Sequence, residues 1–514
     1  MININILPLS RTLASNEAAQ NEAADKPSLH QQRAAKSVLI LTLLCTLLFV
    51  TNASAIASNE NTHHAKQKNS SVDKVLATAK SLHNDNWSEK NSSENSQEEN
   101  WSDDWAEDWV EEEAQSPWQL TGFVEAGYGQ FLHTNIVKNS ASLNELRARI
   151  NLDYSHELFD ASSKIDSYYD AVLAKTVFQT RELSISASPF SFLDIKAGRQ
   201  VLTWGTGDYL FLNDLFAKDW QAFFSGRADE YLKAPSTSVR TNWFFNEVNF
   251  TLVWTPEFTA DNYINGERFS FYSPQAQQIV APAQRFSVDK TSKAQWSARL
   301  NTRINDVEVS LYGYQGSWPT PVGSKPSIEQ HTENSTLGQS QGYFPKLNSW
   351  GISALTPFQG GIINIEYASY NSTEDSNGQN DNIANGQHRL LIGYERELAK
   401  NLTASMQYYL ERTKHYQALL EHSAAPEQLV DENRQLLTLR LSYRALRQTL
   451  IYSMFAFYSP SDRDGYLKPS LNYQYSDQWL FSTGANLFFG DNDYSFFGQH
   501  QDNSNAWLRV RYQY

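Results

Sequence analysis

The chain has 514 residues, a formal net charge of −15 at pH 7, 13% aromatic residues and one cysteine. A single cysteine excludes a disulfide framework, and so acidic a chain is not expected to bind nucleic acid. The length fits either two or three soluble domains or one large β-barrel.

The first 55 residues are typical of a secretory signal peptide. Arg33 and Lys36 precede the apolar run SVLILTLLCTLLFV, and the small residues at 53–55 fit a cleavage site. The run is too short to span a bilayer readily. A lipoprotein signal centred on Cys45 is the weaker interpretation, because bulky leucines precede the cysteine. We therefore expect an exported mature protein without cysteine.

Residues 56–117 are polar, acidic and low in complexity, which predicts a disordered periplasmic leader. Within it, ENWSDDWAEDWVEEE spaces Trp101, Trp105 and Trp109 by four residues, so a transient helix would place all three indoles on one side. A solvated spacer is the preferred interpretation. The alternative is a docking segment that binds a periplasmic partner through the three tryptophans.

From Trp118 onward the sequence alternates apolar and polar residues with period two. In SLNELRARINLDYSHE, Leu146 and Ile150 fall on one parity and Arg147 and Arg149 on the other. Period two indicates a β-strand with a different environment on each face. About 18 such segments have the length that a tilted strand needs to cross a membrane. Full charges on the polar faces favour a water-filled interior.

The links between the segments alternate in length. The short links are 155–162, 188–191, 246–247, 305–306, 356–361, 397–400, 445–448 and 476–477. The long links are 203–235, 256–291, 315–342, 371–386, 413–432 and 490–503. A transmembrane barrel has tight periplasmic turns and long outer loops, and only a closed sheet leaves no unpaired backbone group in lipid.

The prediction is therefore an all-β protein, a transmembrane antiparallel β-barrel of about 18 strands over residues 118–514, with 16 strands as the alternative count. An even number of strands places both ends of the barrel on the periplasmic side. A soluble β-sandwich is the competing fold, and it would end on a long, exposed, apolar edge strand, which is an aggregation hazard.

The last strand, NSNAWLRVRYQY, resembles the C-terminal insertion signal of bacterial outer-membrane barrels. Tyr512 and Tyr514 occupy its two aromatic positions. This resemblance implies that the partners of the chain include the barrel-assembly machinery and outer-membrane lipid.

A second resemblance rests on the stretch GRQVLTWGTGDYLFLND. It is similar to a stretch near the top of an early strand in a broad group of Gram-negative outer-membrane channels that includes the alginate-export barrel and related porin-like proteins. The matching positions here are Gly198, Arg199, Gln200, Trp204 and Gly205. The resemblance implies an 18-strand channel.

Arg199 is a local exception, because strict alternation turns it toward lipid. Its guanidinium either reaches the headgroups near the outer interface, or a bulge at Gly198 turns it inward. We prefer the bulge, since the strand leads into a Gly-rich loop.

The inward parity of the strands collects ten arginines, which we take as candidate residues of a solute path. They are Arg147, Arg149, Arg240, Arg299, Arg303, Arg389, Arg440, Arg444, Arg509 and Arg511. Guanidinium groups in a narrow passage concentrate anions and match carboxylate or phosphate.

Two alternatives stay open for the lumen. In one, inward carboxylates pair with the arginines and give a mixed, weakly selective interior; the candidates are Glu145, Asp153, Asp166, Asp170, Glu366 and Glu411. In the other, the barrel is plugged. Loop 205–235, with Trp220, Phe223 and Phe224, is the candidate for a loop that folds into the mouth.

The predicted function is an outer-membrane, porin-like channel for ions or small acidic solutes or oligosaccharides. A surface-exposed binding or adhesion barrel without an open pore is the alternative. The sequence has no phosphate-binding Gly loop, zinc-type Cys/His spacing or Gly-x-Ser-x-Gly elbow, so we predict no enzyme, no cofactor and no metal.

Replacing the terminal aromatic tests the insertion signal. Tyr514→Ser is expected to lower the amount of assembled barrel in the outer membrane several-fold, because the signal loses its last apolar contact. Gln513→Ser, on the inward parity of the same strand, is the matched control. The measurement is the heat-modifiable barrel in isolated membranes, and normal assembly of Tyr514→Ser would contradict the prediction.

Overall fold

The structure is a computed structural model that describes residues 116–514, apart from 138, 275, 282–287, 290, 292, 327–339 and 424. The predicted signal peptide, and the leader with Trp101, Trp105 and Trp109, lie outside the described residues.

Eighteen strands form one antiparallel sheet in which each strand pairs with the next and the last pairs with the first. The strands are β1 (Trp118–Phe131), β2 (Ala141–His156), β3 (Phe159–Asp170), β4 (Lys175–Phe190), β5 (Leu193–Val201), β6 (Pro235–Phe245), β7 (Val248–Thr255), β8 (Gln295–Ile304), β9 (Val307–Ser317), β10 (Lys346–Phe358), β11 (Gly361–Ser372), β12 (Gln387–Ala399), β13 (Leu402–Thr413), β14 (Asn433–Ala445), β15 (Leu450–Ser459), β16 (Asp464–Gln474), β17 (Trp479–Gly490) and β18 (Asn505–Gln513). The predicted closed barrel is confirmed, with 18 strands and not 16.

The two ends of the barrel differ in the length of their links. At one end, which we call the turn side, eight links have only two to four residues. The first residue of β1 and the last residue of β18 also lie at this end. Asn246, Asn305 and Asn401 take positive φ in these turns, a conformation that asparagine tolerates. The opposite end, the loop side, carries the long links, as predicted. Two links there, 171–174 and 460–463, are nevertheless short.

The outer face of the barrel is an apolar band between two rings of exposed aromatic residues. The band includes Leu146, Ile150, Leu183, Ile185, Leu311, Ile365, Met406 and Leu508. The turn-side ring includes Trp118, Phe190, Phe245, Phe358, Tyr443, Tyr475 and Trp479. The loop-side ring includes Tyr128, Tyr169, Phe178, Trp254, Trp296, Trp350 and Phe489. This surface is typical of a transmembrane barrel.

The last strand follows the predicted parity. Leu508 and Tyr512 are exposed on the outer face, whereas Trp507 and Arg509 are buried inside. Tyr514 is exposed beyond the end of β18, where its hydroxyl lies 3.3 Å from the Arg149 carbonyl oxygen.

The hydrophobic core lies inside the barrel on the loop side. Loop residues pack there against aromatic residues of the wall, such as Phe455, Tyr466 and Phe488. The helices among the described residues are short, with α1 at Trp220–Ser225 and α2 at Tyr416–His422 as the two α-helices. Within the described ranges, no helix is long and apolar enough to cross a membrane.

Candidate functional site: the lumen and its inner loop

The link between β5 and β6, residues 202–234, folds into the lumen and is called the inner loop below. It carries helix α1, whose N-terminus is capped by Asp219: the side chain accepts a hydrogen bond of 2.7 Å from the Ala222 backbone N–H. Gly226 ends the helix with φ of 87°, and a Cβ there would lie 2.2 Å from the Trp507 ring. Only glycine allows this turn of the chain so close to the wall.

Aromatic packing holds α1 against the wall. Phe223 and Phe224 are each 3% exposed. The Phe224 ring centroid lies 4.9 Å from that of Phe488, edge to face, and Phe223 lies 5.9 Å from Tyr466. Trp220 donates through Nε1 to Asp261 at 2.8 Å. The prediction that this segment folds into the mouth is confirmed.

A buried carboxylate holds the first half of the inner loop. Glu366, on β11, is fully buried, and its two oxygens accept four hydrogen bonds. The donors are the backbone N–H and hydroxyl of Thr206, at 2.9 and 3.0 Å, and the backbone N–H and side-chain amide of Asn213, both at 2.9 Å. No cation among the described residues pairs with Glu366. The loop is thus fixed to a wall strand far from its origin at β5.

An ion network holds the second half of the inner loop. Arg147 bridges Asp166 and Glu145 at 2.8 and 3.0 Å, and Arg149 bridges Asp166 and Glu230 at 2.6 Å each. Glu230 lies on the inner loop and the other four residues lie on the wall. The network joins the following six arginines and five carboxylates: Arg147, Arg149, Arg227, Arg268, Arg509, Arg511, Glu125, Glu145, Asp166, Asp170 and Glu230.

Six of the ten predicted lumenal arginines are therefore paired. Besides Arg147, Arg149, Arg509 and Arg511, Arg389 lies 3.3 Å from Glu411, and Arg440 lies 3.1 Å from Asp208 of the inner loop. This arrangement matches the alternative in which carboxylates neutralise much of the lumen. Of the predicted carboxylate partners, Asp153 accepts from Ser162 at 2.6 Å instead.

The other four predicted arginines lie outside both the network and these two separate pairs. Arg303 is exposed at a turn, 4.0 Å from Asp306. No carboxylate of the described residues pairs with Arg240, Arg299 or Arg444, and the Nε atoms of Arg240 and Arg299 are buried without a hydrogen-bond partner. The predicted arginines without a carboxylate partner among the described residues therefore lie on β6, β8 and β14, away from the network.

The family-like stretch forms the start of the inner loop. Gln200 is buried and donates to the Ser238 carbonyl at 3.3 Å. Trp204 packs edge-on against Phe216, with ring centroids 4.9 Å apart, and lies 5.8 Å from the guanidinium carbon of Arg299. Gly205 lies beside the Glu366 carboxylate. These positions shape the entry of the loop into the lumen.

The preferred position of Arg199 was wrong. The register across Gly198 is regular on both sides, and Arg199 is paired with Leu183, which is exposed on the outer face. Gly198 has φ of 126°, and a Cβ there would lie 2.2 Å from the Leu183 carbonyl. Glycine is therefore required at this position by the close approach of the neighbouring strand, and not by a bulge. Arg199 stays outward and donates to the Thr180 carbonyl at 2.6 Å.

The bulge lies one strand earlier. The pairing of β3 with β4 shifts by one residue at Arg181, which turns that side chain inward. Arg181 donates to the carbonyls of Glu230 and Lys233 of the inner loop, both at 2.9 Å. Sequence reasoning missed Arg181 because strict alternation from Leu183 and Ile185, which face lipid, places Arg181 on the lipid face as well. It also missed the loop residues Arg227, Glu230 and Arg268, for which the alternation carries no signal.

Two loop groups at the mouth are strongly affected by burial. His500 lies 3.3 Å from the Ser270 carbonyl and 3.0 Å from the Asn503 side-chain nitrogen, and burial lowers its pKa to about 4. Burial raises the pKa of Asp261 to about 6, although the carboxylate accepts from the Lys218 N–H and from Trp220. Across the described part of the chain, no group of His, Cys, Asp or Glu residues is arranged to hold a metal ion.

The comparisons with known proteins found similar solved structures only. No protein-family model and no curated protein matches the chain. OccAB3 of Acinetobacter baumannii is 10% identical, with 77% of this chain and 99% of that one covered and a TM-score of 0.46. OccD3 (OpdP) of Pseudomonas aeruginosa is 10% identical, with 77% and 90% covered and a TM-score of 0.45.

A third similar structure is OmpF of Salmonella typhi in complex with daunomycin, at 8% identity, with 77% of this chain and 97% of that one covered and a TM-score of 0.37. Identities and TM-scores this low carry no argument about function. The relation to the alginate-export barrel stays a prediction from the sequence.

Removing the Glu366 carboxylate tests how the inner loop is held. Glu366→Ala leaves the buried amides of Thr206 and Asn213 without an acceptor, at about 1–3 kcal/mol for each unsatisfied group. We expect hydrogen exchange of these two amides to rise at least about tenfold, the equivalent of about 1.4 kcal/mol. Glu308→Ala, which removes an exposed lumenal glutamate, is the control. Unchanged exchange in Glu366→Ala would show that the loop does not depend on this anchor.

The buried histidine predicts a pH dependence of the mouth. His500 is neutral when folded and takes up a proton near pH 6.5 when the mouth opens, so its contribution to stability is present above pH 6.5 and is lost as the pH falls to about 4. The loss reaches roughly 3 kcal/mol. Asp261 acts in the opposite sense, since its raised pKa favours the folded state at low pH.

The contribution of His500 is isolated by comparing the parent with His500→Gln. The ratio of the cleavage rate of the mouth loops at pH 4.5 to that at pH 7 should be larger in the parent and in His415→Gln, which changes an exposed loop histidine, than in His500→Gln. Asp261 is present in all three proteins, so its opposite effect cancels in the comparison. The same pH profile in all three proteins would contradict the prediction.

Proposed function

We propose that this protein is an outer-membrane, porin-like channel of a Gram-negative bacterium for ions or small acidic solutes. The observation that carries the proposal is the closed 18-strand barrel with an apolar outer band and a polar inner face. A barrel of this strand number is wider than its own side chains can fill. Lumenal residues on the turn side, such as Asn242, Ser442 and Asn472, are half-buried, so solvent reaches the interior there.

The selectivity is proposed to come from the unpaired arginines. Ion pairs neutralise most of the wall near β1–β4, whereas Arg240 and Arg299 have no carboxylate partner among the described residues. An anion that passes this side of the lumen meets uncompensated positive charge. Acidic solutes are therefore favoured over cations.

One observation favours the alternative of a binding or adhesion barrel. The inner loop and the mouth loops pack into a continuous hydrophobic core on the loop side. Hydrogen bonds also join the mouth loops, such as the one that the Asn503 side-chain amide donates to the Ser270 carbonyl at 2.8 Å. Ordered loops of this kind present a stable outer surface. A barrel of this type would carry no current.

Two further proposals rest on the sequence alone. The assembly signal at Tyr512 and Tyr514 engages the barrel-assembly machinery, with both ends of the barrel on the periplasmic side. The leader is proposed to be a solvated spacer, with docking of a periplasmic partner through Trp101, Trp105 and Trp109 as the alternative.

Single-channel recording in a planar bilayer under a salt gradient tests the channel. We expect open, anion-selective current. Arg240→Gln/Arg299→Gln should lower the anion-to-cation permeability ratio at least about fivefold, because each unit charge at 4 Å in water amounts to about 1 kcal/mol.

The control for this measurement is Arg463→Gln, an exposed loop arginine outside the lumen. Current without anion preference would overturn the proposal that the unpaired arginines set the selectivity, but the proposal of a channel would stand. A silent barrel would overturn the channel and favour the binding barrel.

A further inference from the structure

A cavity of about 450 Å³ lies on the loop side of the lumen, between the inner loop and the wall formed by β11–β16. Fourteen aromatic residues line it, among them Phe223, Tyr370, Tyr409, Phe457, Tyr466 and Phe497. Its size falls in the range of small-molecule sites, and it is roughly three times the ~150 Å³ apolar cavity that holds benzene. The cavity therefore has room for two fused rings.

All the cations of the cavity are paired. Three cations and three carboxylates line it: Lys218, Arg389, Arg434, Asp214, Asp261 and Glu411. Lys218 lies 2.9 Å from Asp214, and Arg389 lies 3.3 Å from Glu411. Arg434 pairs with Asp462, in the link between β15 and β16. An anionic ligand would find no unpaired positive charge here, and an isolated charge in an apolar cavity is strongly unfavourable.

We propose that this cavity binds a ring-containing organic solute that carries no negative charge, such as an aromatic alcohol or ketone. The rings of the solute pack against the aromatic wall. The site goes beyond the proposed channel for ions and acidic solutes, because it selects against anions. Binding here does not require that the barrel conducts.

The test measures binding of two probes with the same rings by equilibrium dialysis of the purified full chain in detergent. The probes are 2-naphthalenemethanol, which is uncharged, and 2-naphthoate, which carries a carboxylate. Thr320→Trp narrows the cavity from a half-buried loop position that lines it, and Thr373→Trp places the same side chain on an exposed loop position outside it. Partition into detergent is the same for all three proteins and cancels.

We expect one saturable site for 2-naphthalenemethanol in the parent and in Thr373→Trp, with affinity at least tenfold lower in Thr320→Trp. We also expect 2-naphthoate to bind the parent at least tenfold more weakly. Equal or tighter binding of 2-naphthoate would overturn the proposal, as would equal binding by the parent and Thr320→Trp.

The heat-dependent gel shift reports whether each variant is folded. If Thr320→Trp does not fold, Ile264→Trp narrows the same cavity from a different loop and the same comparison decides. Failure of this proposal is distinct from failure of the proposed channel. If the barrel carries no current but binds the uncharged probe, the proposed binding site stands. If the barrel conducts but shows no saturable binding, the proposed binding site is overturned.

Discussion

Backbone pairing between the first and last strands is the constraint on which the rest of the structure depends. The register runs from Phe123 with Gln513 to Phe131 with Asn505, so every strand has two neighbours and the sheet has no edge. Closure satisfies the backbone hydrogen bonds internally, which allows the outer face to be apolar. It also encloses an interior that 18 rows of inward side chains cannot fill.

The inner loop fills part of this surplus space inside the barrel. It is held by the carboxylate of Glu366, by the packing of Phe223 and Phe224, and by the ion network around Asp166. Each anchor joins a loop segment to a different part of the wall, so the loop crosses the lumen and does not merely line it. Most of the charged side chains in the lumen form ion pairs that hold the loop, because a buried charge without a partner is far less stable than a paired one.

The lumen is consequently uneven. The side near β1–β4 is filled by paired charges, the side near β6 and β8 keeps Arg240 and Arg299 without carboxylate partners among the described residues, and the side near β11–β16 encloses an aromatic cavity whose cations are all paired. A single interior thus has two different environments. On the two proposals made above, anions are favoured on one side and uncharged rings on the other.

The sequence by itself determined the barrel: strict alternation and the lengths of the links predicted about 18 strands and their facing, because these follow from the two-residue repeat of a strand. The length and the aromatic residues of the link 205–235 made it the candidate for an inward-folding loop. Only the tertiary structure decided which arginines are free. Pairing of Arg149 with Glu230 joins residues on separate elements, and the bulge at Arg181 reverses a parity that Arg199 keeps. Such contacts depend on loop paths and strand register, which no local pattern encodes.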